Sequence, residues 1–526
     1  MQKLYYNGFI LTMQSEKLAD AVLTDDGIII GVGDYSSLQK QSTNAEKIDL
    51  LGKTMLPAFI DAHSHFSSYA TSFLQVSLEN CKSFAEISES IKKFVLDNNI
   101  PPHQWVVCRA YDHNSLLEKR HPDLALLDEC CENNPLVIQH ACGHIGVFNS
   151  MALKELHITA DTLSPVGGII GCENGKLTGY MEENAFFTYL KKVPMSDMNT
   201  LMSAFQKAQN SYASHGIATI QEGMAVGQLI PLYNMLLSQN ALRLDVVAYA
   251  DLKDEDAIFS AFPKSIKKYD RHFKLGGYKI FLDGSPQGRT AWMKTPYIGD
   301  EDYYGYGTMQ DNQVVDAVLH AGKNNMQILA HCNGDAAAEQ YINAIKTVSN
   351  EVNIKDCRPV IIHAQLLSRE QLSDVKLLGI IPSFFIAHIF HWGDVHIKNF
   401  GLDRASKISL ASSALKHNIL FTFHQDTPVI EPNMLETIWC AVNRVTRGGI
   451  ILGKDECISV YDALKSVTIN AAYQYFEEDK KGSISPSKYA DFVILSQNPL
   501  TVNPMELRNI EVLATIKNDE VLYQKQ

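Results

Sequence analysis

The sequence predicts an α/β protein. It reads as a (β/α)8 TIM-like barrel with a small β-sandwich domain formed by both chain termini and a long insertion after strand 1. Three observations predict this. Eight short apolar β segments alternate with amphipathic helical stretches between Ala58 and about Ala472. The two ends of the chain share a β-rich character that the middle lacks. The first and second β segments are separated by roughly His65 to His215, far more chain than a barrel connection needs.

The predicted domains follow from those observations. Residues 1–57 plus 473–526 form the sandwich, and residues 58–472 form the barrel with an inserted lobe at about 66–215. At the N-terminus, Leu4-Tyr5-Tyr6 and Phe9-Ile10-Leu11-Thr12 flank Asn7-Gly8, which predicts a hairpin. Gly27–Gly33 is a further strand, matched at the other end by Ala490–Leu495, Val512–Ile516 and Val521–Tyr523. The eight barrel segments are Phe59–Asp61, Ala218–Ile220, Leu244–Val247, Tyr278–Phe281, Gln327–Ala330, Pro359–Ile362, Gly379–Pro382 and Ile419–Thr422.

Composition narrows the function. With 526 residues, the chain exceeds one ordinary core, and 46% hydrophobic with 20% charged residues is globular. A formal charge of −13 without a dense basic cluster argues against nucleic acid as a partner. The N-terminal stretch lacks an apolar signal core, and no apolar run approaches the ~18 residues a bilayer requires. Ten scattered cysteines contain no C-x-x-C pair, only the adjacent Cys130-Cys131, and read as thiols in a reducing compartment. A cytoplasmic enzyme with a small-molecule substrate is expected. A homodimer is the working assembly, although no residue pattern reads it out.

The chemistry lies at the strand ends. Side chains at the C-terminal ends of barrel strands share one mouth. Segment one runs into Asp61-Ala62-His63-Ser64-His65, and residues two apart on a strand face the same way, so His63 and His65 can hold one cation. Segments five, six and eight run into His331, His363 and Asp426. Imidazoles and a carboxylate are ligands that zinc accepts. A lone histidine at a strand end is more often structural, but four strand ends supplying ligand types together are hard to assign to packing. Lys279 sits in an otherwise apolar strand, where burial favours its neutral amine. That amine can take up carbon dioxide to give an anionic carbamate ligand. An ion pair with Asp283 or another acid, with the lysine unmodified, is the alternative.

These residues fall into motifs. Leu56–His65 resembles the opening P-G-F-I-D-x-H-x-H of the amidohydrolase superfamily, in its YtcJ-like branch related to N-substituted formamide deformylase (amidohydrolase family 3). Gly143-His144 through Leu153, Gly167–Gly179, Lys279–Ala291, His331–Asp335 and His363-Ala364-Gln365 are similar to further family segments in the same order. The resemblance implies a metal-dependent amidohydrolase acting on carbon–nitrogen bonds other than peptide bonds. It also implies one or two divalent ions, zinc foremost, at His63, His65, His331, His363 and Asp426, with Lys279 as an N6-carboxylysine bridge. Two departures stand out: Gln425 replaces the usual serine before Asp426, and Glu222 replaces an aspartate.

In the expected mechanism, an ion makes water nucleophilic and polarises a carbonyl, while Asp426 is the general acid–base. On the substrate side, His388, His391 and Trp392 follow segment seven and are read as a loop over the mouth, one of them a hydrogen-bond donor to the oxyanion. Tyr111-Asp112 and His144 are read as pocket walls in the lobe. Arg289 is weighed between a substrate carboxylate and a structural ion pair. A one-metal deaminase and a non-catalytic scaffold relative are the competing classes; the deaminase is disfavoured because Asn333-Gly334-Asp335 follows, and the scaffold because every ligand is present.

Overall fold

A computed structural model describes residues 1–15, 17–42, 44–140, 144–194 and 197–526. Gly143, the first residue of one motif above, lies outside them.

Eight apolar segments become parallel strands because each is too short for a stable helix and rich in β-branched residues. They are β1 (Phe59–Ile60), β2 (Ile217–Ala225), β3 (Asp245–Asp251), β4 (Phe273–Phe281), β5 (Gln327–Cys332), β6 (Val360–His363), β7 (Ile381–Phe384) and β8 (Thr422–Phe423). They hydrogen-bond in sequence order, every neighbouring pair parallel. The circuit is completed just beyond β1 and β8. There Asp426 N donates to His63 O at 3.2 Å and His65 N donates to Thr427 O at 2.8 Å. All eight predicted segments touch these strands. The seventh and eighth slide towards the C-terminus, since Ile381–Phe384 and Thr422–Phe423 are paired where Gly379–Pro382 and Ile419–Thr422 were expected.

Helices fill the returns between strands. Asp311–Lys323 after β4 buries Val314, Ala317, Val318 and Ala321, and Asp335–Val348 after β5 buries Tyr341, Ile342 and Ile345 among others. The i, i+3, i+4 spacing in each case turns one stripe inward. Inside the ring, Ile60, Val247, Tyr249, Leu329, Val360, Ile362 and Ile381 pack with Ala471, Ala472 and Tyr475. The last three come from the helix Ile469–Gln474 and the residue after it.

Both chain ends meet in a single eight-stranded sheet. Its order is Glu520–Gln524, Val512–Lys517, Phe492–Leu495, Thr54–Pro57, Gln2–Leu11, Leu18–Asp25 and Ile28–Gly33, with Glu46–Asp49 also paired to Gln2–Leu11. The termini thus join as expected, but in one continuous sheet rather than two facing layers. The predicted hairpin at Asn7-Gly8 is corrected too: Gln2–Leu11 runs straight through it. Asn7 takes a left-handed φ of 58°, and pairing with Leu18–Asp25 shifts register between Tyr6 and Ile10. At that bulge the strand changes its parallel neighbour from Glu46–Asp49 to Thr54–Pro57.

The chain divides into two compact units, residues 1–66 with 209–526, and 67–208. The second is a lobe with a six-stranded sheet, ordered Gly168–Glu173, Lys176–Glu183, Ile145–Phe148, Leu136–His140, Val106–Tyr111 and Gln75–Ser77. Its core gathers Ile87, Ile91, Cys108, Leu127, Leu136 and Ile138. The nine described cysteines are all unpaired, and no described helix is long and apolar enough to cross a membrane.

Strand contact is closest at Gly277, where a Cβ would lie 1.9 Å from the main-chain oxygen of Gln327 on β5. That oxygen belongs to paired backbone, as does Gly277, so neither residue can swing aside. Gly277→Ala is therefore expected to lower unfolding stability by about 1–3 kcal/mol, read as a lower urea midpoint; an unshifted midpoint contradicts the close approach.

Candidate functional site

Register decides which side chains face the barrel interior. Lys279 of β4 pairs with Leu329 of β5, whose side chain belongs to the inner cluster, so both point inward. His331, two residues after Leu329, shares that face. His363 breaks this rule, since it follows Ile362, itself an inner residue. Alternation would turn it away, but a left-handed φ of 73° at His363 and 48° at Ala364 re-aims it. Asp426 has a φ of 54° as well. Such backbone costs about 1–3 kcal/mol per residue and persists where the surroundings impose it.

The result is a tight cup. His63 Nε2 and His65 Nε2 each lie 3.4 Å from Asp426 Oδ1, and His363 Nε2 lies 4.0 Å from Oδ2. The His331 ring is 4.5 Å from that of His363, centroid to centroid. The Lys279 amine is buried and has no hydrogen-bond partner among the described residues. Its charge is felt at Asp426, His63 and His363. The structure therefore brings together all six residues that the sequence nominated. The alternative ion pair between Lys279 and Asp283 does not form, because Asp283 is otherwise engaged.

Buried partners aim the imidazoles. His63 Nδ1 donates to Gln221 Oε1 at 2.5 Å, while the Gln221 amide donates to Ala62 O and to the Tyr475 hydroxyl, each at 2.9 Å. That fixes the tautomer and leaves the His63 Nε2 lone pair facing the cup. His331 Nδ1 lies 3.1 Å from Asp283 Oδ1, and Asp283 also accepts the main-chain N–H groups of Trp292, Asn333 and Gly334. The second nitrogen, His331 Nε2, is 3.3 Å from the Asn333 amide.

Burial dominates the titration. Desolvation holds His63 and His363 well below the ordinary imidazole value and takes His424 down to about 3. It brings the Lys279 amine down to about 7, against the opposing pull of Asp426. Burial works to raise Asp426, but its bond to His65 and the surrounding positive charge outweigh it and keep the carboxylate ionised. Desolvation pushes Asp61, at the foot of the same segment, up to about 8.

These donors fit a divalent cation. Bonds of about 2.0–2.1 Å in a tetrahedral centre set ligand atoms roughly 3.4 Å apart, the separation at which both His63 and His65 stand from Asp426. Four imidazoles, one carboxylate and a buried amine without a hydrogen-bond partner among the described residues form a donor set of the kind such an ion takes.

Other nominated residues lie elsewhere. His388 opens the helix His388–Ala405 after β7, with Nδ1 3.0 Å from His396 Nε2 and its ring against Phe385, which in turn packs on His424. Trp392 packs on His388, whereas His391 is engaged by Glu436 and Arg447. Arg289 forms no ion pair among the described residues; it donates to Ile298 O and stacks over Tyr297. Asp112 and His144 belong to the lobe, where His144 is exposed beside Glu183. Gln425 is fully buried, and Glu222 accepts the Tyr233 hydroxyl at 2.7 Å.

Sequence reasoning missed His424 and Gln221. The His424 ring packs between His63 and His363, and neither of its nitrogens has a partner among the described residues. Its signal was present, since it stands two residues before Asp426, as His63 stands two before His65. Gln221 carries no such signal, because an amide within a strand reads as an ordinary polar residue.

Residues 46–523 match the amidohydrolase family. The chain is 27% identical to a putative amidohydrolase, YtcJ, of Bacillus subtilis over the full length of both. It is also 27% identical to N-substituted formamide deformylase of Arthrobacter pascens, covering 96% of this chain and 95% of that one. Among solved structures, a metal-dependent hydrolase of Pyrococcus horikoshii shares the fold with a TM-score of 0.81 at 23% identity, over 96% of this chain and 99% of that one.

Because Asp283 holds His331 Nδ1, Asp283→Asn is expected to weaken divalent-metal affinity about 10–100-fold in a chelator competition. Wild-type affinity in a folded variant would separate Asp283 from the cup.

Proposed function

The chain belongs to the amidohydrolase family, and on that premise we propose that it hydrolyses the carbon–nitrogen bond of a small N-formyl or N-acyl amine with the help of a divalent metal. The observation that carries this reading is the buried Lys279 amine, without a hydrogen-bond partner among the described residues, close enough to Asp426, His63 and His363 for its charge to act on them. A buried amine without a partner costs stability, so its presence calls for a role. Converted to a carbamate by carbon dioxide, it becomes an anionic ligand.

In this reading His63, His65, His331, His363, Asp426 and carboxylated Lys279 hold one or two ions, zinc foremost. When bound, such an ion supplies an acidified water and a pole that polarises the carbonyl. The chain's residues do the rest. Asp426 takes the proton released as water adds to the carbonyl carbon, then delivers it to the amine nitrogen as the carbon–nitrogen bond breaks. The products are a carboxylic acid and a free amine. His388, its Nδ1 engaged with His396, is the candidate donor to the developing oxyanion through Nε2. Trp392 and Phe385 give that side an aromatic wall. The N-acyl class is favoured by the end-to-end relation to a formamide deformylase.

Zinc-loaded protein should release amine from a panel of N-formyl and N-acyl amines, lose that activity to a chelator and regain it on reloading. Asp426→Asn should keep the fold and lose about 10²–10⁴-fold in turnover; near-normal turnover by the metal-loaded variant rules out the proton-transfer role. For Lys279, protein equilibrated with 13C-bicarbonate should show a carbamate carbon resonance that Lys279→Arg lacks. A spectrum identical for both proteins rules out the modification.

A further inference from the structure

The lobe carries a second group of ligand-type side chains that the reaction above does not use. Asp112 and His113 follow the strand Val106–Tyr111, and His140 ends the strand Leu136–His140. These strands are adjacent and parallel, with Tyr111 opposite His140. Two paired strands thus end at one edge and deliver a carboxylate and two imidazoles to one point. Their donor atoms all lie within 4.8 Å of one another. His113 Nδ1 is 3.1 Å from His140 Nε2, and that same nitrogen is 3.6 Å from Asp112 Oδ1.

Those two separations straddle the roughly 3.4 Å edge of a tetrahedral centre with bonds of about 2.0–2.1 Å. A shared proton would account for the two imidazoles alone. It would not require a carboxylate on the same nitrogen. The carboxylate is also held in place, since Asp112 Oδ1 accepts the Asn114 N–H at 2.9 Å and Oδ2 accepts the Ser115 hydroxyl at 3.1 Å. His121 stacks on His113 with ring centroids 4.1 Å apart and is itself tied to the Tyr111 hydroxyl at 2.9 Å. Such outer partners orient ligands at metal sites.

We propose that Asp112, His113 and His140 form a metal site of the lobe's own, taking a zinc-type divalent ion and leaving one position for water or a small ligand. Two imidazoles and one carboxylate suit zinc, cobalt or nickel better than magnesium or calcium, which prefer oxygen. Asp112, expected from the sequence as a pocket wall, becomes a ligand in this reading.

The test uses the full chain and cobalt as the probe. Metal-free wild-type protein titrated with Co²⁺ should bind one equivalent more than His113→Gln, and one more than Asp112→Asn. Equal stoichiometry in wild type and both variants overturns the site. An anomalous difference map of cobalt-loaded wild-type crystals needs no substitution. A peak within bonding distance of Asp112, His113 and His140 is expected, and a map with peaks only in the barrel cup overturns the proposal independently.

Discussion

The barrel depends on its seam. β1 and β8 are two residues long each, too short to hold the first and last strands together by ladder pairing. The join is made by main-chain bonds between His63 or His65 and Asp426 or Thr427. Gln474 splices the same gap from below: its amide donates to Ala62 O at 2.8 Å, and its oxygen accepts the Thr422 hydroxyl at 2.7 Å. Tyr475 adds a bond to Asp61 O at 2.7 Å. The residues that close the ring in their backbone are the residues that build the cup in their side chains. Buried backbone groups must be paired, so closing the fold and positioning the ligands are one constraint, and the left-handed backbone at Asp426 is where it is met.

Electrostatics follows from that placement. A closed ring desolvates everything at its centre, which penalises every charged form. The His63, His363 and His424 imidazoles are held towards their neutral forms, and the Lys279 amine is drawn towards neutrality. Asp426 stays ionised because several groups around it favour its charge. What remains is a carboxylate, several lone pairs and a buried amine without a hydrogen-bond partner among the described residues. An apolar filling of equal volume would be more stable. A divalent cation at the centre would offset that cost, the pattern expected where function is held against stability.

Much of this was legible in the sequence, for identifiable reasons. Apolar runs bounded by helical stretches marked all eight strands, and histidines or acids at their ends marked the mouth. The slide of β7 and β8 was not legible, because Gly379-Ile380 and Ile419-Leu420 are as apolar as the residues that pair. The Asn7-Gly8 hairpin failed because a left-handed Asn-Gly serves a bulge as well as a turn. Only distant pairing with Glu46–Asp49 and Thr54–Pro57 tells the two apart. His363 was placed correctly at a strand end, but the backbone twist that aims it depends on tertiary context. Gln221 and Asp283 support the cup through contacts across tens to hundreds of residues, and local pattern carries no trace of them.

The two ligand groups of this chain arise from one geometric habit. In a parallel pair, the last residues of neighbouring strands emerge side by side, so polar side chains there are brought within reach of one another. β5 and β6 do this with His331 and His363, and the lobe strands Val106–Tyr111 and Leu136–His140 do it with Asp112, His113 and His140. They differ in how charge is balanced. The barrel cup sets its carboxylate beside a buried amine. The lobe group, with one carboxylate and two imidazoles, would bring a single negative charge to a divalent ion. Asp112 is 38% exposed, so solvent can screen the remainder. A single ion open to water follows from that balance, in contrast to the enclosed cup.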